Sequence, residues 1–398
     1  MTTSEELPTL ASLRSPVLGD NPYLRKLQAE RPIWRVRTDT GDEGWLVVGY
    51  PEIKELMLDK RIGRTHPKPA EAAQLADNPI FSMIAGVAAG RDEHELHAAF
   101  RALLIPHFSH KKMQSLKPRV EGIVRGMVDE LAALTPPVDL QTAFSLPVSL
   151  KVLCELMGVP QDERDRLGEL LDHVHGIGEH ANAGQAEFIG YLMGLAARKR
   201  EDPGDDVISG ICQAGLKDSD VTNIVCMLLF AGHESVATHI GNGVARLLTR
   251  PDLLAEVRSD PSAMAGAVEE LLRTANFGGG AQPHYAHEDI EISGVTIRAG
   301  DLVLPDFAIA NFDERSFADP ERIDFGRKPN QHLTFAHGAW HCVGAPLARL
   351  ELNAVFTALL AKFPDLTLTT TLEKLNRVDG EDGTDRLAAS ISALPVAW

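Results

Sequence analysis

The chain has 398 residues, 44% hydrophobic and 24% charged, a globular mixture with enough apolar material for a large core. Its 39 Lys and Arg against 56 Asp and Glu leave a net charge of −17, which argues against nucleic acid or an anionic membrane as the main partner. Cys154, Cys212, Cys226 and Cys342 show no CxxC pairing, and the acidic N-terminus has no apolar h-region, so disulfide-rich and secreted classes are poor fits and a cytoplasmic protein is expected.

Residues 1–20 read as a loosely ordered N-terminal segment. Residues 33–37 alternate apolar with polar, Thr40-Gly41-Asp42 supplies a turn, and 45–48 return as a second strand. Pro51 opens a short helix with Ile53, Leu56 and Met57 on one face. Residues 62–92 form a long irregular loop punctuated by Pro67, Pro69 and Pro79; a loop of that length in a compact chain is usually functional. Helical periodicity then predicts helices near 94–106, 117–134, 147–157, 162–180, 184–200, 218–249, 251–258, 263–275 and 345–362. The apolar run at 224–231 is too short to span a bilayer. Short strands are expected at 284–306 and again at 364–398. Without repeats or a Gly/Ser/Pro-rich linker, the fold class is mainly α (α+β), one large domain over 1–398 with small segregated sheets.

The most informative segment is Phe335-Ala-His-Gly338-Ala-Trp340-His341-Cys342-Val-Gly344, which leads into an apolar helix. Backbone N–H groups and the helix dipole there favour a thiolate. Gly338 and Gly344 permit tight turns and the approach of a flat ligand, and Phe335 can shield the sulfur. Cys154, Cys212 and Cys226 sit in apolar helical stretches and read as packing residues.

Phe-x-x-Gly-x-x-x-Cys-x-Gly resembles the haem-binding loop of the cytochrome P450 family, in which a Cys thiolate is the proximal ligand. Three further segments are similar to family motifs in the family's order: Ala231-Gly232-His-Glu234-Ser235 on the long helix, Glu270-Leu-Leu-Arg273, and Ala310-Asn-Phe-Asp313 through Phe325. The resemblance runs from about residue 20 to the C-terminus and is strongest to soluble actinobacterial-type members.

The resemblance implies haem b (iron protoporphyrin IX) with Cys342 as axial ligand and O2 as co-substrate. It implies that Ala231 and Gly232 let the long helix open, and that Glu234 and Ser235 relay protons. Ser235 stands where members more often have Thr; its other reading is a back bond to the carbonyl at i−4. Glu270 and Arg273 read as a structural ion pair at i,i+3. His97 and Arg101, preferred over His94 for their i,i+4 spacing, would bind haem propionates. Two positions depart from the family's pattern. Trp340 stands where His or Arg is common, and His284 where Arg is common, so propionate binding is expected to be less cationic, with His341 as an added donor.

The substrate pocket would be lined by the 62–92 loop, helices near 165–195, the long helix before Ala231, the 277–283 segment and the tip at 377–386. His173, His175 and His180 read as solvated surface rather than a metal site. The basic run from His110 through Arg119 is a solvated helix start or a docking patch for an acidic electron donor. The function implied is a haem-thiolate monooxygenase. It would take two electrons from a separate ferredoxin and ferredoxin reductase, and hydroxylate or epoxidise a small organic molecule of secondary metabolism. Oxidative coupling or ring closure without oxygen insertion, and a catalytically silent haem-binding sensor or carrier, remain as alternatives.

Overall fold

The computed structural model describes residues 7–13, 21–75, 92–174, 179–275, 282–375, 391 and 393–398. The helices are α1 (Pro22–Glu30), α2 (Tyr50–Leu58), α3 (Glu93–Leu104), α4 (His110–Ala132), α5 (Leu146–Met157), α6 (Arg164–Val174), α7 (Glu179–Glu201), α8 (Val207–Gln213), α9 (Asp218–Thr249), α10 (Pro251–Ser259), α11 (Met264–Arg273), α12 (Phe307–Ala310), α13 (Ala345–Lys362) and α14 (Leu372–Leu375). The strands are β1 (Ile33–Arg37), β2 (Glu43–Val47), β3 (Ile62–Gly63), β4 (Val138–Asp139), β5 (His284–Ala286), β6 (Ile290–Ile292), β7 (Val295–Ile297), β8 (Leu302–Pro305), β9 (Thr367–Leu368) and β10 (Pro395–Ala397). Two compact units divide the chain. The first holds Met1–Ala98, Asn276–Ile323 and Gln331–Cys342; the second holds Ala99–Ala275, Asp324–Asn330 and Val343–Trp398.

A five-stranded sheet in the order β1-β2-β8-β5-β3 organises the first unit. The β1–β2 hairpin is antiparallel, with Ile33 opposite Val47, and turns at Gly41, whose φ of +91° suits glycine. Strand β8 runs parallel to β2 and antiparallel to β5, so Val303 faces both Trp45 and His284. Ile33, Val47 and Val303 join Ile53, Leu56 and Met57 of α2 in one buried cluster. That cluster explains why the alternating strands and the one-faced helix form together. Strands β6 and β7 make a separate hairpin.

The second unit is helical, with a small sheet in the order β4-β10-β9. Its axis is α9, whose 32 residues span about 48 Å at 1.5 Å per residue. Helices α5, α7, α11 and α13 pack on it. By length and composition α9 is apolar enough to cross a membrane, which the short 224–231 run did not suggest. However, 56% of its most apolar window is buried within the protein, as in the core helix of a globular fold.

Helices α9 and α13 occupy the predicted ranges, whereas α4 starts seven residues before the predicted 117. Ser109 caps it, accepting a hydrogen bond from the Lys112 N–H at 3.3 Å. Pro118 lies inside the helix. Its cost of about 3 kcal/mol is offset by a continuous buried stripe of Met113, Leu116, Val120, Val124, Met127 and Leu131. Pro118 itself faces solvent. The predicted 162–180 helix covers α6, with 175–178 outside the described residues, and the next helix begins at Glu179. Within 364–398 the structure adds the helical turn α14 to the expected strands. Of the 1–20 segment only 7–13 is described, including a turn at Leu10–Leu13.

Candidate functional site

The cysteine loop closes on itself through backbone hydrogen bonds. Ala336 N–H donates to the Leu333 carbonyl at 2.7 Å and Cys342 N–H to the Phe335 carbonyl at 2.8 Å. Gly338 takes a left-handed φ of +62°, and a Cβ there would lie 2.8 Å from the Met57 carbonyl oxygen. Glycine is therefore required twice over. Phe335 is buried, and its ring centroid lies 6.4 Å from that of His341, which is exposed. Gly344 caps α13, its carbonyl accepting from Ala348 N–H at 3.0 Å. Cys342 is the exposed cysteine; the other three are buried. Burial pushes the Cys154 thiol up to about 12 and Cys226 up to about 11, and raises Cys212, so all three stay neutral thiols.

Trp340 is the hub of a polar cluster in the same unit. The rings of His97, His94 and His284 lie with centroids 4.5, 5.6 and 5.8 Å from it, and the Arg64 guanidinium 5.7 Å from its ring. Both His97 and the rejected His94 thus reach Trp340. Arg64 was missed altogether, because nothing in its local pattern marks it; it enters through strand pairing, just after β3 aligns with β5. Gln282 ties the cluster together. Its side-chain oxygen accepts from Arg64 Nη2 at 2.7 Å and its carbonyl from His284 Nδ1 at 2.9 Å. Burial, reinforced by the Arg64 charge, lowers His284 to about 3, so its imidazole is neutral. Arg64 Nε, His94 Nε2, His284 Nε2 and Trp340 Nε1 are buried with no hydrogen-bond partner among the described residues. Four such atoms in one cluster, the indole's own among them, are costly unless a ligand meets them.

On α9, Glu234 is buried and Ser235 half-buried. Ser235 Oγ donates to the Ala231 carbonyl at 2.6 Å, the i−4 back bond weighed from sequence. The helix runs unbroken through Gly232, and a Cβ there would meet Leu153 at 3.0 Å. The missing Cβ at Gly232 thus also lets α5 pack closely on α9. Ser149 of α5 also donates to the His233 carbonyl at 2.9 Å.

Glu270 and Arg273 form a fully buried bidentate pair, with Nε–Oε1 at 2.7 Å and Nη2–Oε2 at 2.9 Å. Asn330 Nδ2 and Asp324 N–H each donate to Glu270 at 3.0 Å, and Arg327 Nε lies 3.1 Å from Oε1. The basic run is less available than expected: Lys112 pairs with Asp205 at 2.9 Å and Arg119 with Glu155, leaving Lys111 exposed. Arg101 ends α3 in its last turn. The expected pocket linings at 277–281 and 377–386, most of 76–92, and His175 lie outside the described residues.

These residues suit a haem. Cys342 is exposed on a loop closed by its N–H bond to the Phe335 carbonyl, and the unmet N–H groups of Arg64 and Trp340 suit carboxylates such as the propionates at a haem edge. Comparison with known proteins agrees. The family model "Cytochrome P450" matches residues 195–377. The chain is 38% identical to pentalenolactone synthase of Streptomyces exfoliatus, over 99% of this chain and 100% of that protein. It is 35% identical to mycinamicin IV hydroxylase/epoxidase of Micromonospora griseorubida, over 94% of each. The substrate-free structure of PimD, a pimaricin epoxidase, superposes with a TM-score of 0.89 at 42% identity, covering 99% of this chain and 100% of that one. With cysteine loop, helical scaffold and full-length relatives in agreement, the chain belongs to the cytochrome P450 family of haem-thiolate oxidoreductases.

Proposed function

We propose that this monooxygenase hydroxylates or epoxidises a small organic molecule of secondary metabolism, with Cys342 as the iron ligand. The observation that carries the reading is the contrast among the cysteines: three buried neutral thiols, and Cys342 exposed at a self-bonded loop. The named activities of the full-length relatives, a hydroxylase/epoxidase and an epoxidase, support the outcome. When bound, the haem supplies dioxygen activation assisted by thiolate electron density.

The remaining work falls to the chain. Phe335 keeps water from the sulfur, and the Gly338 turn fixes the loop. His97 and Arg101 are read as propionate partners. Glu234 holds and releases a proton, and Ser235 passes it on. Because Ser235 gives its hydrogen to Ala231, a proton arriving at its oxygen displaces the one already held. Two electrons come from a separate ferredoxin and its reductase. The start of α4, with Lys111 exposed, is a candidate dock. We read 1–398 as one catalytic domain, since the motifs are shared out between the two units and neither carries the full set. A cytoplasmic location suits its four free cysteines.

Donor-supported turnover under isotopic dioxygen tests the reading. One labelled oxygen atom in the product is expected. A product formed by bond closure with no label would replace oxygen insertion by oxidative coupling.

A further inference from the structure

We propose that Arg64 supplies the cation for a haem propionate in this chain, with the Trp340 indole N–H as its second donor. The inference rests on family membership and on how the cluster around Trp340 is built. A haem carries two carboxylates at its edge, and burying a carboxylate requires a cation or several donors. Trp340 brings an N–H and no charge, and at His284 the imidazole gives its Nδ1 hydrogen to the Gln282 carbonyl. With that hydrogen committed, neutral His284 presents a lone pair at Nε2, which an anion does not seek.

Arg64 has the opposite character. Its Nε–H is buried and unmet, while Gln282 holds one end of the guanidinium through Nη2. The nearby carboxylate of Glu93 does not consume that charge by hydrogen bonding. It accepts instead from the Arg64 and Thr65 backbone N–H groups and the Thr65 hydroxyl, at 2.7 to 3.2 Å. His287 Nε2 lies 3.4 Å from the same carboxylate. Arg64 lies 5.7 Å from the ring of Trp340, two residues before the iron ligand. The cation has therefore moved to the segment after β3, away from the two positions where the family pattern led us to look for it.

The test is a cycle between protein and cofactor. Arg64→Gln and the wild-type enzyme are each reconstituted with haem and with its dimethyl ester, in which both propionates are blocked. Haem transfer to apomyoglobin is timed for all four. Arg64→Gln should lose ordinary haem roughly ten- to a hundredfold faster, the loss of a charge-assisted hydrogen bond. Its reduction potential should fall, because a cation near the iron is gone. Esterification should cost the variant less than it costs the wild type, and Arg64→Lys should lie between them. An equal ester penalty in both proteins would overturn the proposal, even with faster haem loss, since Arg64 would then be only structural. Should Arg64→Gln fail to fold, Trp340→Phe keeps the ring stack and removes the indole donor. A smaller acceleration with a shifted propionate bending band in resonance Raman is then expected, and an unchanged band overturns the proposal. Throughout, the thiolate-type band of the reduced carbon-monoxide complex reports Cys342 ligation separately, so failure of the haem assignment is distinguishable from failure at Arg64.

Discussion

Glu270 and Arg64 are both charged groups drawn into polar clusters away from bulk water. Around Glu270 both oxygens are met: Arg273 clamps them in parallel, and Asn330 and Asp324 complete the set. Around Arg64 the reverse holds, with Arg64 Nε, Trp340 Nε1 and His94 Nε2 lacking partners among the described residues. A buried ionic group left short of partners costs several kcal/mol, so such a group is a good candidate for completion by a ligand of opposite charge. The completed cluster is scaffold, and the incomplete one is a site. That distinction comes from the charges: Glu270 has its countercharge in Arg273, whereas among the described residues no carboxylate accepts from the Arg64 guanidinium, although the Glu270 cluster too leaves one amide oxygen, Asn330 Oδ1, unmet.

The sharpest way to break the comparison is at the iron ligand. Cys342→Ala should abolish the thiolate-type band of the reduced carbon-monoxide complex, while the donors around Trp340 still retain part of the haem. Persistence of the band would remove Cys342 from its role. Next in size is the completed cluster. Glu270→Ala strands Arg273 in the core and should cost about 3–5 kcal/mol, read as a lowered thermal midpoint. Glu270→Gln keeps an acceptor for Asn330 and should cost less. If Glu270→Ala melts with the wild type, the pair is not scaffold.

The cysteine loop, α9 and α13 were legible because their signals are local. A glycine and an aromatic at fixed spacing from a cysteine, and unbroken apolar periodicity, need no knowledge of distant residues. Arg64 was illegible for the opposite reason. Its partners Gln282, His284 and Trp340 lie more than two hundred residues away along the chain, brought in by the pairing of β3 with β5. The start of α4 was placed seven residues late because Met113 and Leu116, which extend its buried stripe toward the N-terminus, lie in a run otherwise polar and basic. At Gly232 the motif was visible, but the contact with Leu153 that also favours a glycine there belongs to packing and has no local sequence signal.

A smaller effect is expected at Ser235. Replacing it with Ala removes the hydroxyl but leaves α9 intact, since among the described residues the Ser235 hydroxyl bonds within its own helix turn. Coupling of electrons to product should fall, with more hydrogen peroxide released per electron pair. An unchanged ratio would limit the hydroxyl to its back bond with Ala231.

The smallest effect tests an intermediate case. Asp306 is buried and caps α12, its Oδ1 accepting from Ala308 and Ile309 N–H at 3.1 and 3.0 Å. Two backbone donors compensate the carboxylate less fully than the bidentate clamp on Glu270, and burial pushes Asp306 up to about 7. Between the unfolded value and this raised one, the folded protein holds a proton that the unfolded chain has released. Its stabilising contribution is therefore full below the unfolded value and is lost as pH rises through about 7. Asp306→Asn keeps the capping oxygen and removes the titration. On going from about pH 5 to about pH 8 the variant should lose less thermal stability than the wild type. Parallel pH profiles would mean that the two backbone donors suffice for the charge, and that a buried carboxylate can be completed without a cation.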